Sequence, residues 1–270
     1  MNMKKATQPL STLLSQNAAK LKSAFSAKNQ LQILPSHIAR QIPPLTKKRK
    51  ASVLVPLIDT GLQPTTAGST NDHLDRLSIL FTKRSNNLKQ HANEISFPGG
   101  HYEPEVDGDS LIKTAIRETC EELLMEEEDC SDIDNTDLRY HDFKEKLVVI
   151  GQAETIPSAS LTPVTPFFAY FKHEISNAEE VFPGNQNEVS QVFTVSVREL
   201  LQVEKMMFLK RLGMEGPVYP TKYGDIWGLT ALILKPFLHE ILMPTFSNNR
   251  GEGEGESGDE NKTNQNQSFL

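Results

Sequence analysis

The chain has 270 residues, of which 37% are hydrophobic and 23% are charged, a composition typical of a globular domain with polar tails. No run of 18 or more apolar residues is present, which argues against a membrane-spanning helix. The two cysteines, Cys120 and Cys130, are too few for a disulfide framework and favour a reducing compartment. Residues 59–270 hold all 35 acidic residues against 18 basic ones, a difference of −17. Such a body would repel nucleic acid, but it could bind a phosphorylated small molecule through divalent cations.

The two ends of the chain differ from the middle. Residues 1–48 form a basic segment without Asp or Glu, whose spaced leucines and Phe25 predict an amphipathic helix. Such a helix is typical of a mitochondrial targeting sequence, and equally of a lead-in helix that packs on the domain. The ending Ser268-Phe269-Leu270 weakly matches a peroxisomal signal, so we expect a mitochondrial location with the peroxisome as alternative. Residues 246–270 are acidic and then Asn/Gln-rich, which predicts a disordered tail.

Short apolar runs between polar segments predict strands in the middle of the chain. The predicted strands are 52–56, 77–83, 94–97, 147–153, 164–171 and 188–195. The third of these meets Pro98-Gly99-Gly100, which predicts a sharp turn. Helices are predicted at 110–125, 197–203 and 226–242, the last amphipathic and kinked or broken at Pro236, and an acidic surface loop at 126–142. Strands mixed with a few helices, without regular βαβ alternation, predict an α+β fold.

Residues 110–125 predict the most informative helix, capped by Asp109 or Ser110. At about 100° per residue one face is apolar and is the predicted core face. That face comprises Ile112, Ile116, Thr119 and Leu123. Glu118, Glu121 and Glu122 lie on the opposite side beside Arg117, where like-charge repulsion costs a few tenths of a kcal/mol per pair. The helix alone favours a solvated acidic face, whereas bound Mg²⁺ would be the alternative.

The sequence around this helix resembles the Nudix box. Arg117-Glu118-x-x-Glu121-Glu122 follows a strand, the pair Gly99-Gly100 and a polar loop, in the order of the box. Asp109, eight residues before Arg117, occupies the box's first Glu position, and the loop after Gly100 is three residues longer than the general pattern. Leu124 stands where the box has Gly, which would help the helix end in a left-handed conformation. The helix could instead continue into the acidic stretch.

A second motif resembles that of the coenzyme A diphosphatase branch of the Nudix family. Leu80-Phe81-Thr82-Lys83-Arg84-Ser85 is followed by Lys89, Asn93 and Ile95-Ser96-Phe97-Pro98-Gly99-Gly100. Lys89 stands for the family's Arg and Asn93 for its Gly. The resemblance covers about residues 50–242. It implies a Nudix-type α/β/α sandwich with a mixed sheet over residues 49–245.

The resemblance implies metal-dependent hydrolysis of the pyrophosphate bond of coenzyme A and its derivatives. The products would be 3′,5′-ADP and 4′-phosphopantetheine, with Mg²⁺ or Mn²⁺ as cofactor. Glu118 and Glu122 are the first expected metal ligands and Glu121 the third, and Arg117 would orient them. Glu121 or Glu188 would take the proton of the attacking water, and the sequence does not decide between them.

The expected substrate-binding residues are Arg84, Lys89, Gly99 and Gly100. Arg84 and Lys89 would meet the 3′-phosphate or the pyrophosphate, because Arg suits bidentate phosphate binding, although Arg84 could instead brace the turn. Trp227 is expected in the core. Two other functions stay open: a Nudix enzyme for another nucleoside diphosphate derivative, and a non-catalytic Nudix-fold binding module. The presence of both Glu118 and Glu122 argues against the binding module.

Overall fold

The structure, a computed structural model, describes residues 12–28, 30–40, 42, 45, 49–61, 72–87, 91–124, 141–210 and 213–247. Lys89, Cys130, most of the predicted acidic loop and the predicted disordered tail from residue 248 lie outside these ranges. The strands are β1 (Ala51–Asp59), β2 (Leu77–Arg84), β3 (Ile95–Ser96), β4 (Gly99–His101), β5 (Leu147–Gln152), β6 (Ile156–Pro157), β7 (Pro163–Phe171), β8 (Val189–Ser196), β9 (Lys205–Leu209), β10 (Met214–Thr221) and β11 (Gly224–Ile226). The helices are α1 (Leu13–Gln16), α2 (Ala18–Ser26), α3 (Ser36–Ala39), α4 (Asp72–Arg76), α5 (Pro104–Asp107), α6 (Leu111–Leu123), α7 (Ala178–Val181), α8 (Val197–Val203), α9 (Gly228–Pro236) and α10 (Met243–Ser247), with a π-helical turn at Phe237–Leu242.

The main sheet is mixed and is organised around β1. One edge of β1 pairs in parallel with β7 through residues 51–57. The other edge is shared, because residues 57–59 pair antiparallel with β2 and residues 51–53 pair with β4. Strand β2 pairs with β3 through residues 82–83, and β8 covers its opposite edge. Strands β1 and β2 therefore diverge, and the segment that contains β3 and β4 lies between them.

Both faces of this sheet are buried, because successive side chains of a strand point to opposite faces and each face carries helices. In β1, Leu54 and Ile58 pack with α6, whereas Val55 and Leu57 pack with the N- and C-terminal helices. The arrangement is a helix–sheet–helix sandwich, and it confirms the predicted α+β class with a mixed sheet.

The N-terminal helices contribute to the core. Leu14 and Leu21 are fully buried, and the Phe25 ring lies 5.0 Å from the Phe168 ring, centroid to centroid. The N-terminal helices therefore pack on the domain, as the lead-in alternative predicted. A targeting role for the same segment stays a prediction.

The C-terminal helical run Gly228–Ser247 changes its hydrogen-bonding pattern after Pro236, where the π-helical turn begins. Proline lacks the N–H and crowds the preceding turn, which explains the predicted irregularity. The run is long and apolar enough to cross a membrane, but more than half of it is buried in the protein, as in a core helix. The predicted amphipathic pattern is wrong in α9, since residues 230–234 are buried in succession.

Three features of the fold were not predicted. Gly99 and Gly100 form strand β4, so the sharp bend lies at Pro98 and not at the glycines. The polar loop before α6 contains the short helix α5. Strands β9–β11 form a separate antiparallel sheet, missed because β10 contains Gly and Pro, which are depleted in strands.

Candidate active site

Helix α6 lies across the place where β1 and β2 diverge and packs on β1 and β4. Gly100 lies so close to the Glu118 carboxylate that a Cβ at residue 100 would overlap it. Gly99 has a φ of +148°, and a Cβ there would overlap the backbone of Ser52 and Val53 in β1. Both glycines therefore allow β4 to approach its neighbours closely, and their contact with substrate stays a prediction.

The ends of α6 resolve two alternatives from the sequence. Ser110 is the cap, with its hydroxyl accepting from the Lys113 amide, and Asp109 is exposed. The helix ends at Leu123, and Leu124 is extended with φ −102° and ψ 136°. The predicted alternative of a longer helix is therefore wrong, and the end is not the left-handed one that Gly would favour at this position. Because the backbone is extended there, Leu at 124 is not strained.

Arg117 is the centre of the ion-pair network. Its Nε and Nη2 donate to the two Asp107 oxygens at 2.9 and 3.1 Å. Its Nη1 donates to both Glu121 oxygens at 3.2 and 3.1 Å, and its Nη2 lies 3.1 Å from Glu118 Oε1. The predicted orienting role of Arg117 therefore has a geometric basis: one guanidinium holds three carboxylates.

Asp107 is the carboxylate that fixes Arg117, whereas Asp109, which occupies the first Glu position of the box, is exposed. It is buried at the end of α5 and also accepts from Thr114 Oγ1 at 2.8 Å and from the Glu103 amide at 2.9 Å. Burial alone would raise the pKa of Asp107, but these hydrogen bonds and Arg117 outweigh it and lower the pKa. Pro104 at the first position of α5 was the available signal for this helix.

Glu122 is buried at 3% exposure, which corrects its placement on a solvent-facing side of α6. Its Oε2 accepts from Thr82 Oγ1 of β2 at 3.2 Å. Burial raises the pKa of Glu122 to about 8, Arg84 opposes the rise, and Glu188 and Glu118 add to it by repulsion. Thr82 is therefore a residue of the site that sequence reasoning did not single out, although it lies within the second motif.

Glu118 and Glu121 complete the acidic group. Burial raises the pKa of Glu118 to about 7 against the effect of Arg117, with further repulsion from Glu121 and Glu188. Burial also raises the pKa of Glu121, which remains about half exposed. Because Glu188 raises the pKa of all three, the fold brings this exposed carboxylate from the start of β8 to the group on α6. The structure thus brings the four predicted glutamates together.

Arg84 lies at the end of β2, on the same face as Thr82. Its charge lowers the pKa of Glu122, so its guanidinium lies near the acidic group. Its Nε is buried and has no hydrogen-bond partner among the described residues. Asn93 donates its amide to the Arg84 carbonyl at 3.2 Å and has a φ of +63°, a left-handed conformation that Asn tolerates where the family has Gly.

Trp227 is 47% exposed, so its expected core position is wrong. It precedes α9 as the N-cap residue, and Thr230 of α9 donates to the Ile95 carbonyl of β3 at 3.2 Å. The helix is buried at residues 230–234, whereas its N-cap residue Trp227 reaches the surface, which periodicity alone does not reveal.

The residues of the site fit a hard divalent cation by their chemistry. In the part of the chain that the structure describes, no three acidic, His or Cys side chains enclose an ion position, because Glu118 and Glu121 both turn to Arg117. The donors are nevertheless all carboxylate oxygens, which Mg²⁺ and Mn²⁺ prefer. Burial is the main cause that raises the pKa of Glu118 and Glu122; Arg117 and Arg84 oppose the rise, and repulsion among the glutamates adds to it.

Comparison with known proteins agrees with the box on α6. The NUDIX domain model matches residues 69–212, more than half of the chain. The uncharacterized Nudix hydrolase NudL of Yersinia enterocolitica is 30% identical over 168 residues, covering 61% of this chain and 74% of that protein. NudL of Yersinia pestis is 29% identical over 197 residues, covering 72% and 80%.

The chain is also similar to solved structures, at low sequence identity. A NUDIX hydrolase from Alicyclobacillus acidocaldarius is 16% identical with a TM-score of 0.35, covering 58% of this chain and 82% of that chain. A C. elegans Ap4A hydrolase is 17% identical with a TM-score of 0.35, covering 57% and 84%. With the family model over more than half of the chain and a 30% identical relative, the chain belongs to the Nudix hydrolase family.

Proposed function

We propose that this Nudix hydrolase cleaves the pyrophosphate bond of coenzyme A and its derivatives. The observation that carries the proposal is Arg84, which the motif from Leu80 to Gly100 places beside the acidic group. Its buried Nε has no hydrogen-bond partner in the part of the chain that the structure describes. A guanidinium with a free donor is suited to phosphate, which coenzyme A offers at its pyrophosphate and at its 3′ position.

The roles of the acidic residues follow from their surroundings. Glu118 and Glu122 would hold Mg²⁺ or Mn²⁺, with Glu121 as a third ligand. A bound divalent cation would neutralise charge on the phosphoryl oxygens and lower the pKa of a water molecule. Arg117 holds Glu118 and Glu121 in position, and Thr82 holds Glu122.

A carboxylate must accept the proton of the attacking water. Glu121 and Glu188 are the two candidates, and both are exposed enough to reach water. Glu121 is held by Arg117, whereas Glu188 lies at the start of β8 beside Arg84, with its carbonyl accepting from the Ser85 amide at 2.8 Å. Glu188 is the better candidate, because its carboxylate is not already bound to Arg117.

A second candidate function is hydrolysis of another nucleoside diphosphate derivative, such as a dinucleotide or a nucleotide sugar. The exposed Trp227 would favour any nucleotide, since a free aromatic ring can stack on adenine whatever is joined to the other phosphate. In the first function the enzyme recognises the 3′-phosphate and the pantetheine arm of coenzyme A. In the second function neither group contributes to recognition.

A substrate panel tests the proposal. The full chain is incubated with coenzyme A, 3′-dephospho-coenzyme A, NADH or ADP-ribose plus Mg²⁺ or Mn²⁺, and products are separated by chromatography. We expect 3′,5′-ADP and 4′-phosphopantetheine from coenzyme A, with the highest kcat/KM of the four. Glu122→Gln serves as the inactive control, and Glu145→Gln, an exposed glutamate away from the site, as the matched active control.

The outcomes separate the alternatives. Hydrolysis of NADH or ADP-ribose that equals or exceeds that of coenzyme A would reject coenzyme A as the preferred substrate. The assignment as a Nudix hydrolase would still hold. Absence of hydrolysis of any of the four substrates, with Mn²⁺ binding retained, would favour a binding module.

For localisation we propose the mitochondrion, with the peroxisome as alternative. The support is the acid-free basic N-terminus, which would have to be recognised before α1 and α2 pack into the core. Imaging the chain with a C-terminal and then an N-terminal fluorescent fusion tests this. Loss of mitochondrial signal only with the N-terminal fusion supports the proposal, and a diffuse signal with both contradicts it.

A further inference from the structure

The segment between α7 and β8, residues 182–188, lies against the C-terminal end of α6. The last carbonyl groups of a helix have no partner within the helix itself. Here the Glu122 carbonyl accepts from the Asn185 amide at 2.9 Å, and the Leu123 carbonyl accepts from the Gly184 amide at 3.1 Å. The segment is therefore hydrogen-bonded to the helix at the main chain of Glu122, an expected metal ligand.

Asn185 also fixes the chain where it enters β8. Its carbonyl accepts from the amides of Glu188 and Val189, at 2.9 and 2.7 Å. Its side-chain Oδ1 accepts from the Asn187 amide at 3.1 Å, a turn that Asn favours because its short side chain reaches the amide two residues on. One residue is thus bonded to the main chain of Glu122 on one side and to that of Glu188 on the other.

The main chain of Glu188 is held from both directions. Its amide donates to Asn185, and its carbonyl accepts from the Ser85 amide, which directly follows β2, at 2.8 Å. Its side chain is exposed, and its carboxylate lies near enough to Glu118 and Glu122 to repel them. A fixed backbone with a solvent-facing carboxylate suits a group that must meet a water molecule at one defined place.

We propose that Asn185 is a positioning residue, which fixes the Glu188 carboxylate relative to Glu122; this rests on the proposed function, in which Glu188 takes the proton of the attacking water. Asn185 itself contacts neither the metal nor the substrate in this role. It acts through the backbone of Glu188, and a displacement of about 1 Å at a reacting group can lower a rate by about 100-fold. If Asn185 only stabilised the turn, its loss would lower the free energy of unfolding without lowering kcat.

Replacing the side chain of Asn185 tests this role. Asn185→Ala removes the acceptor of the Asn187 amide, and we expect kcat of the full chain with Mg²⁺ to fall by about tenfold or more, with KM within about twofold of the wild type. Asn177→Ala is the matched control, because Asn177 Oδ1 accepts from the Glu179 amide at the same 3.1 Å, at the start of α7. We expect urea denaturation to show similar losses of unfolding free energy in both variants, and the control to retain its kcat.

Two further variants separate positioning from a general loss of structure. Asn185→Ser keeps an oxygen acceptor without adding charge, so it should restore most of kcat. In a Glu188→Gln background, Asn185→Ala should lower kcat by less than about twofold more, because its effect passes through Glu188. An equal fold-loss in both backgrounds, or an Asn185→Ser variant as slow as Asn185→Ala, overturns the proposal.

Hydrogen–deuterium exchange of the metal-free chain gives a readout that does not depend on activity. Asn185→Ala should speed exchange of the amides at 187–189, whereas Asn177→Ala should leave them unchanged. Unchanged exchange in Asn185→Ala overturns the proposal. An active wild type whose kcat survives Asn185→Ala overturns the role of Asn185 alone, whereas a wild type that hydrolyses none of the substrates overturns the proposed function and this role together.

Discussion

The two helical layers on either side of the main sheet bury different kinds of side chain. The layer of α1, α2, α9 and the π-helical turn is apolar, with rings such as Phe25, Phe168 and Phe237 packed together. The layer of α5 and α6 is also packed on the sheet, yet it buries Asp107, Glu122 and most of Arg117. One sheet thus has a mainly apolar layer, where the buried Asp59 carboxylate accepts from the Leu13 amide and from Arg76, and a layer with several buried charges.

The two layers are therefore expected to contribute differently to the stability of the fold and to catalysis. Burial of apolar rings stabilises the fold, whereas buried carboxylates with raised pKa values oppose it unless a cation compensates. Variants in the first layer should therefore change the free energy of unfolding, and variants in the second should change catalysis and the response to metal and pH.

The largest expected effect is on stability, from the apolar layer. Phe237 is fully buried, with its ring centroid 4.5 Å from Phe168. We expect Phe237→Ala to lower the free energy of unfolding by about 3–5 kcal/mol in urea denaturation. Activity per folded molecule should not change. The exposed Val149→Ala should stay within about 0.5 kcal/mol of the wild type, and an equal loss in both variants would contradict this division of the layers.

The second largest effect is expected on kcat, when a carboxylate of the charged layer is replaced. Glu122→Gln should lower kcat by about 10²–10³-fold, because it removes a charge that acts at the reacting centre. Its unfolding free energy without metal at pH 8 should equal or exceed that of the wild type, since a buried charge is lost. Parallel loss of stability would mean that Glu122 is a structural residue and not part of the site.

The pH dependence of stability should also distinguish the layers. Glu118 and Glu122 have pKa values of about 7 and about 8 in the folded chain, against an ordinary value of 4.5. Between pH 4.5 and pH 8 the folded chain therefore binds more protons than the unfolded chain. The free energy of unfolding without metal falls as pH rises through this range. Added Mn²⁺ should raise Tm more at pH 8 than at pH 6, because it competes with protons.

Differential scanning calorimetry with EDTA or with Mn²⁺ measures this dependence. Glu122→Gln should flatten it, and Phe237→Ala should lower Tm at every pH without changing the slope. A metal-free Tm that rises between pH 6 and 8 would show that these carboxylates are not held as described.

A smaller effect is expected at Arg84. Arg84→Ala should raise KM for coenzyme A by about 10–100-fold, the range for a lost hydrogen bond to a charged group. If Arg84 contacts the 3′-phosphate, the increase should vanish with 3′-dephospho-coenzyme A, and if it contacts the pyrophosphate it should remain. Arg40→Ala, at an exposed arginine after α3, is the control. An unchanged KM would leave Arg84 as a brace of the turn.

The smallest effect is expected at the end of α6. Because Leu124 is extended, Gly in its place gains no conformational advantage. Leu124→Gly should lower the unfolding free energy by less than about 1 kcal/mol and leave kcat unchanged. Increased stability would show that the helix prefers the left-handed ending of the general box.

Periodicity and turn residues predicted much of the fold. The strands that became β1, β2, β7 and β8, and helices α6 and α8, follow from local patterns whose tertiary surroundings agree with them. The small sheet β9–β11 did not, because Gly216 and Pro217 oppose strand formation and only pairing with β9 holds them extended.

The sequence predicted the site residues that lie within the spacing of the two motifs. Arg117 and its three glutamates were found, but Asp107 was not. Its contact with Arg117 depends on the short helix α5, which the sequence did not predict. Burial of Glu122 could not be read from α6, since it results from Thr82 on a distant strand. Such contacts are set by tertiary packing and have no local signature.

The central position of β1 has a consequence for dissecting the gene. A fragment cut at the limits of the family match, residues 69–212, would omit the strand that joins β2 to β7, together with α2 and the C-terminal helical run. It would keep every residue of the acidic group and yet lack the support beneath Gly99 and Gly100. Recombinant work on the catalytic region should therefore begin before Leu13 and extend through Ser247.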